Sequence, residues 1–246
     1  MPESKTHQRF RSRSEQLEMY LEAMDAAARV TSNLLGHASN DDKDIDEALP
    51  IDCSKYSRLN HPAAHRARIY NYCRAKNTHS AIVELYGYFS EYMRDILKEI
   101  YQKDPMQVVG KSPKLLNMTF ADLAKLNNIG ELHVKMVEDV FRSLENERST
   151  TKLIDKILNG TGTQVSQAEK DSVLPYLEMR HLIIHNNGKI DAEFEGKYGA
   201  AMKLKSGDKV PSVFLNADTA IKSVRAFVKK IDSEFIRMNM VSANAV

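Results

Sequence analysis

Apolar positions recur at helical spacing along most of this chain, and strict alternation is nearly absent. Over residues 14–35, Leu17, Tyr20, Leu21, Met24, Ala27, Ala28 and Leu34 mark one helix face, and Gly36 ends it. Residues 37–60 read as a long acidic loop, punctuated by Pro50 and by the turn Asn60-His61-Pro62. A short helix is predicted over 63–75. The strongest pattern covers 78–103, where Ile82, Leu85, Tyr86, Phe89, Tyr92, Met93, Ile96, Ile100 and Tyr101 make a continuous apolar face. Asp104-Pro105 stops it.

The second half repeats the theme in shorter pieces. Residues 106–118 read as loop, and Thr119 with Asp122 suits the start of a short helix over 120–127. A helix over 131–147 would turn Met136, Val137, Val140, Phe141 and Leu144 inward, and another over 150–158 ends at Asn159-Gly160. Residues 166–187 carry a further helix; Pro175 means either a start near Ser172 or a kink. The stretch from Lys203 to Leu215 could form one small β-hairpin turning at Gly207-Asp208. Asn216 or Asp218 would cap a last helix with Ile221, Val224, Val228, Ile231 and Phe235 as its stripe. The expected fold is an all-α helical bundle. Residues 1–76 form an N-terminal helical and basic extension with an acidic loop, and residues 77–240 form the bundle. No alternating β/α pattern and no glycine-rich phosphate loop occurs, which argues against a doubly wound nucleotide fold.

Composition sharpens this in three places. A hydrophobic content of 42% and a charged content of 28% in 246 residues fit a soluble globular protein, and no apolar run approaches a membrane span. The stretch from Met1 to Ser14 is polar and basic, without the apolar centre of a signal peptide. Cys53 and Cys73 are too few for a disulfide framework or a zinc site, so a reducing cytoplasm is the simplest compartment. The net charge of +2 hides a strong local contrast. Residues 41–52 hold Asp41, Asp42, Asp44, Asp46, Glu47 and Asp52 against Lys43, whereas residues 55–76 hold Lys55, Arg58, Arg66, Arg68, Arg74 and Lys76 with no acid. The basic stretch is interleaved with Tyr56, Tyr70 and Tyr72. Cations that meet phosphates beside rings that stack on bases fit single-stranded RNA. The plainer reading is a basic surface paired with, and partly screened by, the acidic loop.

The densest chemistry lies in Arg180-His181-Leu182-Ile183-Ile184-His185-Asn186-Asn187-Gly188. Gly188 suits the left-handed residue that closes a helix, which puts His185 in the last turn. Arg180 and His185 then diverge by roughly 140° around the axis, while His181 and His185 share a face. An arginine that grips phosphate beside a histidine that titrates near neutrality is sufficient to cut RNA. Structurally, the same two residues could satisfy helix carbonyls and the negative end of the helix dipole. His181 and His185 also have the spacing of two metal ligands, but Leu182 stands where zinc helices carry a glutamate, and no third ligand is evident.

Arg180, four residues and then His185, with a polar residue directly after the arginine, resembles the R-x4-6-H signature of the HEPN superfamily. The tail His185-Asn186-Asn187-Gly188 resembles its toxin and defence-associated branches. The likeness rests on the motif and, more loosely, on the helical pattern of about residues 77–238. It implies an all-helical homodimer and a metal-independent endoribonuclease whose active site is shared across the dimer. Arg180 and His185 would be catalytic, supported by His181, Asn186 and Glu91, and no cofactor is implied. The expected partners are RNA, a second copy and an antitoxin or defence-system protein. Arg66, Arg68 and Arg74 are the candidate RNA contacts. Glu91 takes the place of an acidic residue that several relatives carry near the site, or else lies on a solvated face. The family's adenylylated toxins carry a tyrosine two residues after the histidine; here it is Asn187, so that control is not supported. Some HEPN domains have lost activity and serve as dimerisation or RNA-gripping modules, or as regulators of a partner enzyme, which is the competing class.

Overall fold

The computed structural model describes residues 2–40, 42–104, 119–126, 128–132, 134–135 and 150–244. Ten α-helices are named here: α1 (Lys5–Leu34), α2 (Ile45–Ala48), α3 (Arg66–Lys103), α4 (Phe120–Ala124), α5 (Thr150–Thr161), α6 (Gln167–Asp171), α7 (Leu174–His185), α8 (Ala192–Phe194), α9 (Ala200–Met202) and α10 (Phe214–Arg237). A π-turn, Glu195–Gly199, joins α8 to α9. Among the described residues there is no sheet, and the only bridges are isolated, Asp44 with Pro62 and Lys189 with Lys209. The fold is all-α.

The core lies where α1, α3 and α10 pack on one another and α7 packs on α3. Its axis is α3, whose Ile82, Leu85, Phe89, Met93, Ile96 and Ile100 are buried at the predicted spacing. Each such side chain contributes about 1.5–3 kcal/mol when fully removed from water. Helix α10 answers with Ile221, Val224, Val228, Ile231 and Phe235, all buried. Helix α1 adds Phe10, Leu17 and Leu21, whereas Tyr20 and Met24 of the expected stripe are exposed.

Three departures from the expected elements have local causes. Helix α1 starts nine residues before residue 14, because Ser4 caps it: its hydroxyl accepts from the His7 amide at 3.0 Å, and Phe10 reaches the core. The helices expected over 63–75 and 78–103 are one helix, α3, so the boundary expected at 76/77 falls inside a continuous element. No proline or glycine interrupts residues 63–86, and α1 supports the polar half of α3 through Asp25 with Arg74 and Tyr20 with Asn77. The hairpin is not formed. The turn at Gly207 exists (φ +93), but its backbone pairs with the segment after α7: Ile190 donates to Asp208 at 2.8 Å and Val210 to Gly188 at 2.7 Å.

Caps also differ in detail. Neither Asn216 nor Asp218 caps α10; the helix begins after Val213 without a side-chain cap. Asn216 donates instead to the Pro211 carbonyl at 3.0 Å, and the buried Asp218 accepts from Lys222 at 2.8 Å. Helix α5 runs through Gly160 and ends at Gly162 (φ +71). Ser166 and Glu169 form a reciprocal capping box at α6, and α7 restarts at Leu174 with Pro175 in its first turn. Of the helix expected over 131–147, residues 131, 132, 134 and 135 are helical; the remainder, with Met136, Val137, Val140, Phe141 and Leu144, and the loop 106–118 lie outside the described residues.

A polar lock closes the bundle. The carboxyl group of Asp232 on α10 is 1% exposed and accepts from the Ser4 amide at 2.9 Å, from the Ser4 hydroxyl and from the Tyr92 hydroxyl at 3.3 Å. Three donors from two parts of the chain, Ser4 before α1 and Tyr92 on α3, thus meet one buried acceptor pair, which satisfies groups that would be costly to bury alone. Burial and the neighbouring Asp232 push the Tyr92 phenol well above its ordinary range.

Candidate functional site

Helix α7 delivers the motif. Its first half is buried through Leu174, Leu177 and Met179. Its last turn emerges, leaving His181 and His185 exposed and Arg180 half-buried. Asn187 (φ 52) and Gly188 (φ +69) are both left-handed, and the Gly188 amide donates back to Leu182 at 2.8 Å. The predicted closure of the helix is therefore present, two residues past His185.

Arg180 and His185 take different partners. The guanidinium of Arg180 sits over the Tyr86 ring of α3, 5.0 Å from its centroid. The ring centroids of His185 and His181 lie 4.8 Å apart, turned away from Arg180 by roughly 100–140° around the axis. Among the described residues, no set of three His, Cys, Asp or Glu side chains is placed to hold a metal ion. Asn186 is the C-cap residue, and its amide donates to the Lys189 carbonyl at 2.7 Å, which fixes the turn beneath the histidine.

The remaining candidates do not converge on this turn. Glu91 pairs with Arg13 of α1, and Arg13 also covers the Tyr88 ring at 4.1 Å. Glu91 and Tyr86 are five positions apart on α3, so they diverge by about 140°. Glu91 thus serves the α1–α3 interface and is neither beside Arg180 nor simply solvated. Arg74 is committed to Asp25 at 2.7 Å, with Arg29 on the same carboxylate at 2.6 Å. Burial raises the Asp25 pKa, and the two guanidiniums outweigh it, leaving the carboxyl below its ordinary range. The acid that meets Arg74 comes from α1, not from the acidic loop. Arg66 donates to the Ala63 carbonyl at 3.2 Å, and Arg68 is exposed.

Sequence reasoning counted Lys76 only in the basic stretch and missed the other residues of α3 that border the motif. An open cleft of about 310 Å³ lies between α3 and the turn after α7, with Lys76, His79, Ser80 and Val83 on one side and Ile183 and Asn187 on the other. The ring of His79 lies against Gly188, where an added Cβ would come within 3.6 Å of its Cε1. His79 Nε2 is 3.2 Å from the Val210 carbonyl, which can only accept, so Nε2 carries the proton. Burial lowers the His79 pKa; the bond to Val210 opposes this and the nearby Lys76 charge adds to it, with a net value below the ordinary range. The available signal was that His79, Val83 and Tyr86 share a face at i, i+4, i+7.

No family model matches the chain, and no curated protein or solved structure proves similar to it. No helix of the described residues is long and apolar enough to cross a membrane.

Proposed function

We propose that the chain is a metal-independent endoribonuclease acting as a homodimer, in the manner of the HEPN-type toxin or antiviral defence effectors its motif resembles. The observation that carries the reading is the last turn of α7: Arg180 and His185 leave one helix end in different directions, Arg180 braced on Tyr86 and His185 exposed. One chain thus offers a phosphate-binding cation and a titratable group that are spread apart. Two copies meeting at this end supply a pair of each.

The chemistry needs no more than that. The 2′-hydroxyl attacks the adjacent phosphorus, the P–O5′ bond breaks, and the products are a 2′,3′-cyclic phosphate and a 5′-hydroxyl. One His185 accepts the 2′-hydroxyl proton and the other protonates the leaving oxygen. Arg180 holds the charge that builds on the phosphorane oxygens. DNA, lacking the 2′-hydroxyl, is not cut. An antitoxin or defence-system protein is the partner this role calls for.

The alternative is a helical dimerisation or RNA-gripping module without catalysis. The engagement of Glu91 by Arg13 favours it, because it removes the expected acidic member of the site. One experiment separates the two: labelled RNA is incubated with the protein in chelator, beside His185→Ala. Cleavage to cyclic-phosphate ends that disappears in the variant supports the nuclease. RNA binding without cleavage by the wild type supports the module.

A further inference from the structure

The cleft between α3 and the closing turn of α7 combines three kinds of surface. Val83 and Ile183 supply apolar side chains. Ser80 and Asn187 add a hydroxyl and an amide, and an amide can both donate and accept. Lys76 supplies an ammonium group at one end. His79 points Nε2 at the Val210 carbonyl, so in the neutral ring Nδ1 is the acceptor. Glu84 also lines the cleft, and its carboxylate accepts the Tyr88 hydroxyl. The volume is at the small end of ordinary ligand pockets.

The surroundings say from which side a ligand arrives. Lys76 lies over the exposed ring of Tyr72, 5.8 Å from its centroid, and Arg68 is exposed one turn before Tyr72. Arg68, Tyr72, Lys76 and Ser80 follow at four-residue steps, so cation, ring, cation and hydroxyl line one edge of α3 up to the cleft. Across the cleft stand Ile183 and Asn187, two residues either side of His185. A flexible polyanion with flat apolar groups matches that order of surfaces.

We propose that this cleft is a nucleotide subsite, seating one unpaired ribonucleotide with its base on Val83 and Ile183, its edge read by Asn187 and its phosphate on Lys76. The proposal rests on the endoribonuclease reading only for its role, which is to choose the base next to the cut. Binding itself requires no catalysis. Asn187 acts as a specificity residue, and Lys76 contributes affinity without discrimination.

The test titrates the full-length protein with each of the four ribonucleoside 3′-monophosphates, followed by calorimetry or amide chemical shifts. Saturable binding with a preference among bases is expected. Lys76→Ala should weaken all four by roughly tenfold, the loss typical of a charged hydrogen bond. Asn187→Gly, which keeps the left-handed turn, should erase the preference among bases. Val83→Trp, which fills the cleft, should abolish binding while circular dichroism and Tm report the fold. Absence of saturable binding at millimolar nucleotide overturns the proposal, as does unchanged base preference in Asn187→Gly. If the nucleotides bind as stated and RNA is never cut, the subsite stands and the nuclease reading falls. If RNA is cut with the same base preference by wild type and Asn187→Gly, the nuclease stands and the subsite falls.

Discussion

Arg180 holds its guanidinium over the ring of Tyr86, 5.0 Å from the centroid, so the motif helix and the central helix meet through a cation and an aromatic face. The contact aims a side chain that would otherwise sample many rotamers. Arg180→Ala and His185→Ala should each lower RNA cleavage by about 10²–10⁴-fold with the fold intact. The double variant should be little worse than either single one, since both act on one transition state. Tyr86→Leu should reduce kcat by less than Arg180→Ala does. Full activity in His185→Ala, or activity removed by chelator and restored by a divalent ion, would overturn the assignment.

Two of the arginines proposed as RNA contacts, Arg68 and Arg74, should separate. Arg68→Ala should weaken RNA binding and reduce the salt slope by about one counterion. Arg74→Ala should instead lower Tm, because it strips a guanidinium from the half-buried Asp25. The depressed Asp25 pKa means that its pairing stabilises the fold above the ordinary aspartate range and that this share is lost as pH falls through the folded value. Wild type and Arg74→Ala should therefore converge in stability in acid. Equal effects of the two substitutions on the salt slope would contradict this division.

His79 provides a second pH dependence of similar sign. Its folded pKa lies below the ordinary histidine value, so the unfolded chain takes up the proton first as pH falls. Stability tied to neutral His79 is complete above about pH 6.5 and is lost as pH drops through the folded pKa. His79→Gln should show a shallower fall in Tm between pH 7.5 and 5 than wild type. Parallel curves would refute the assignment.

Asp232→Ala should cost about 2–4 kcal/mol, since it leaves the Ser4 and Tyr92 donors without their buried acceptor. Ser4→Ala, which removes an N-cap and one of these bonds, should cost about 1–2 kcal/mol. Chemical denaturation of the two variants and wild type measures both. A change under 0.5 kcal/mol, on the order of a surface substitution, in Asp232→Ala would mean the lock contributes nothing.

Gly188→Ala should destabilise by about 1 kcal/mol through left-handed strain, because the neighbouring His79 carbon leaves room for the methyl at ordinary contact distance. A thermal melt that does not move would show that the turn relaxes.

What could be read from the sequence follows the range of the interactions involved. The apolar stripes of α3 and α10 and the closure at Asn187-Gly188 depend on neighbours within two turns, and all are found where the spacing put them. The continuity of α3 through residues 75–78 was not legible, because Asp25 and Tyr20 of α1 support it from some fifty positions away. The start of α1 was missed because residues 5–13 carry one apolar anchor, Phe10, and a cap whose second partner is Asp232. The partner of Glu91 was hidden for the same reason: Arg13 lies in the polar, basic stretch from Met1 to Ser14, which carries little apolar pattern. The hairpin failed because the partner of Gly207–Val210 is the segment after α7. Lys76 and His79 become interesting only once α3 and α7 are seen side by side.

The bond from Ser4 to Asp232 joins positions 228 apart. Helical bundles generally assemble fast because their contacts are close in sequence, and closing a longer loop costs more chain entropy. Here α1 lies against α10 at opposite ends of the chain, with Arg225 of α10 reaching Ser14 and Glu18 of α1. During synthesis α1 has α3 to rest on early, but its remaining partner is made nearly two hundred residues later. Until then part of its inner face stays uncovered, a condition that calls for a slow final docking step and for protection of the nascent chain against association with its neighbours.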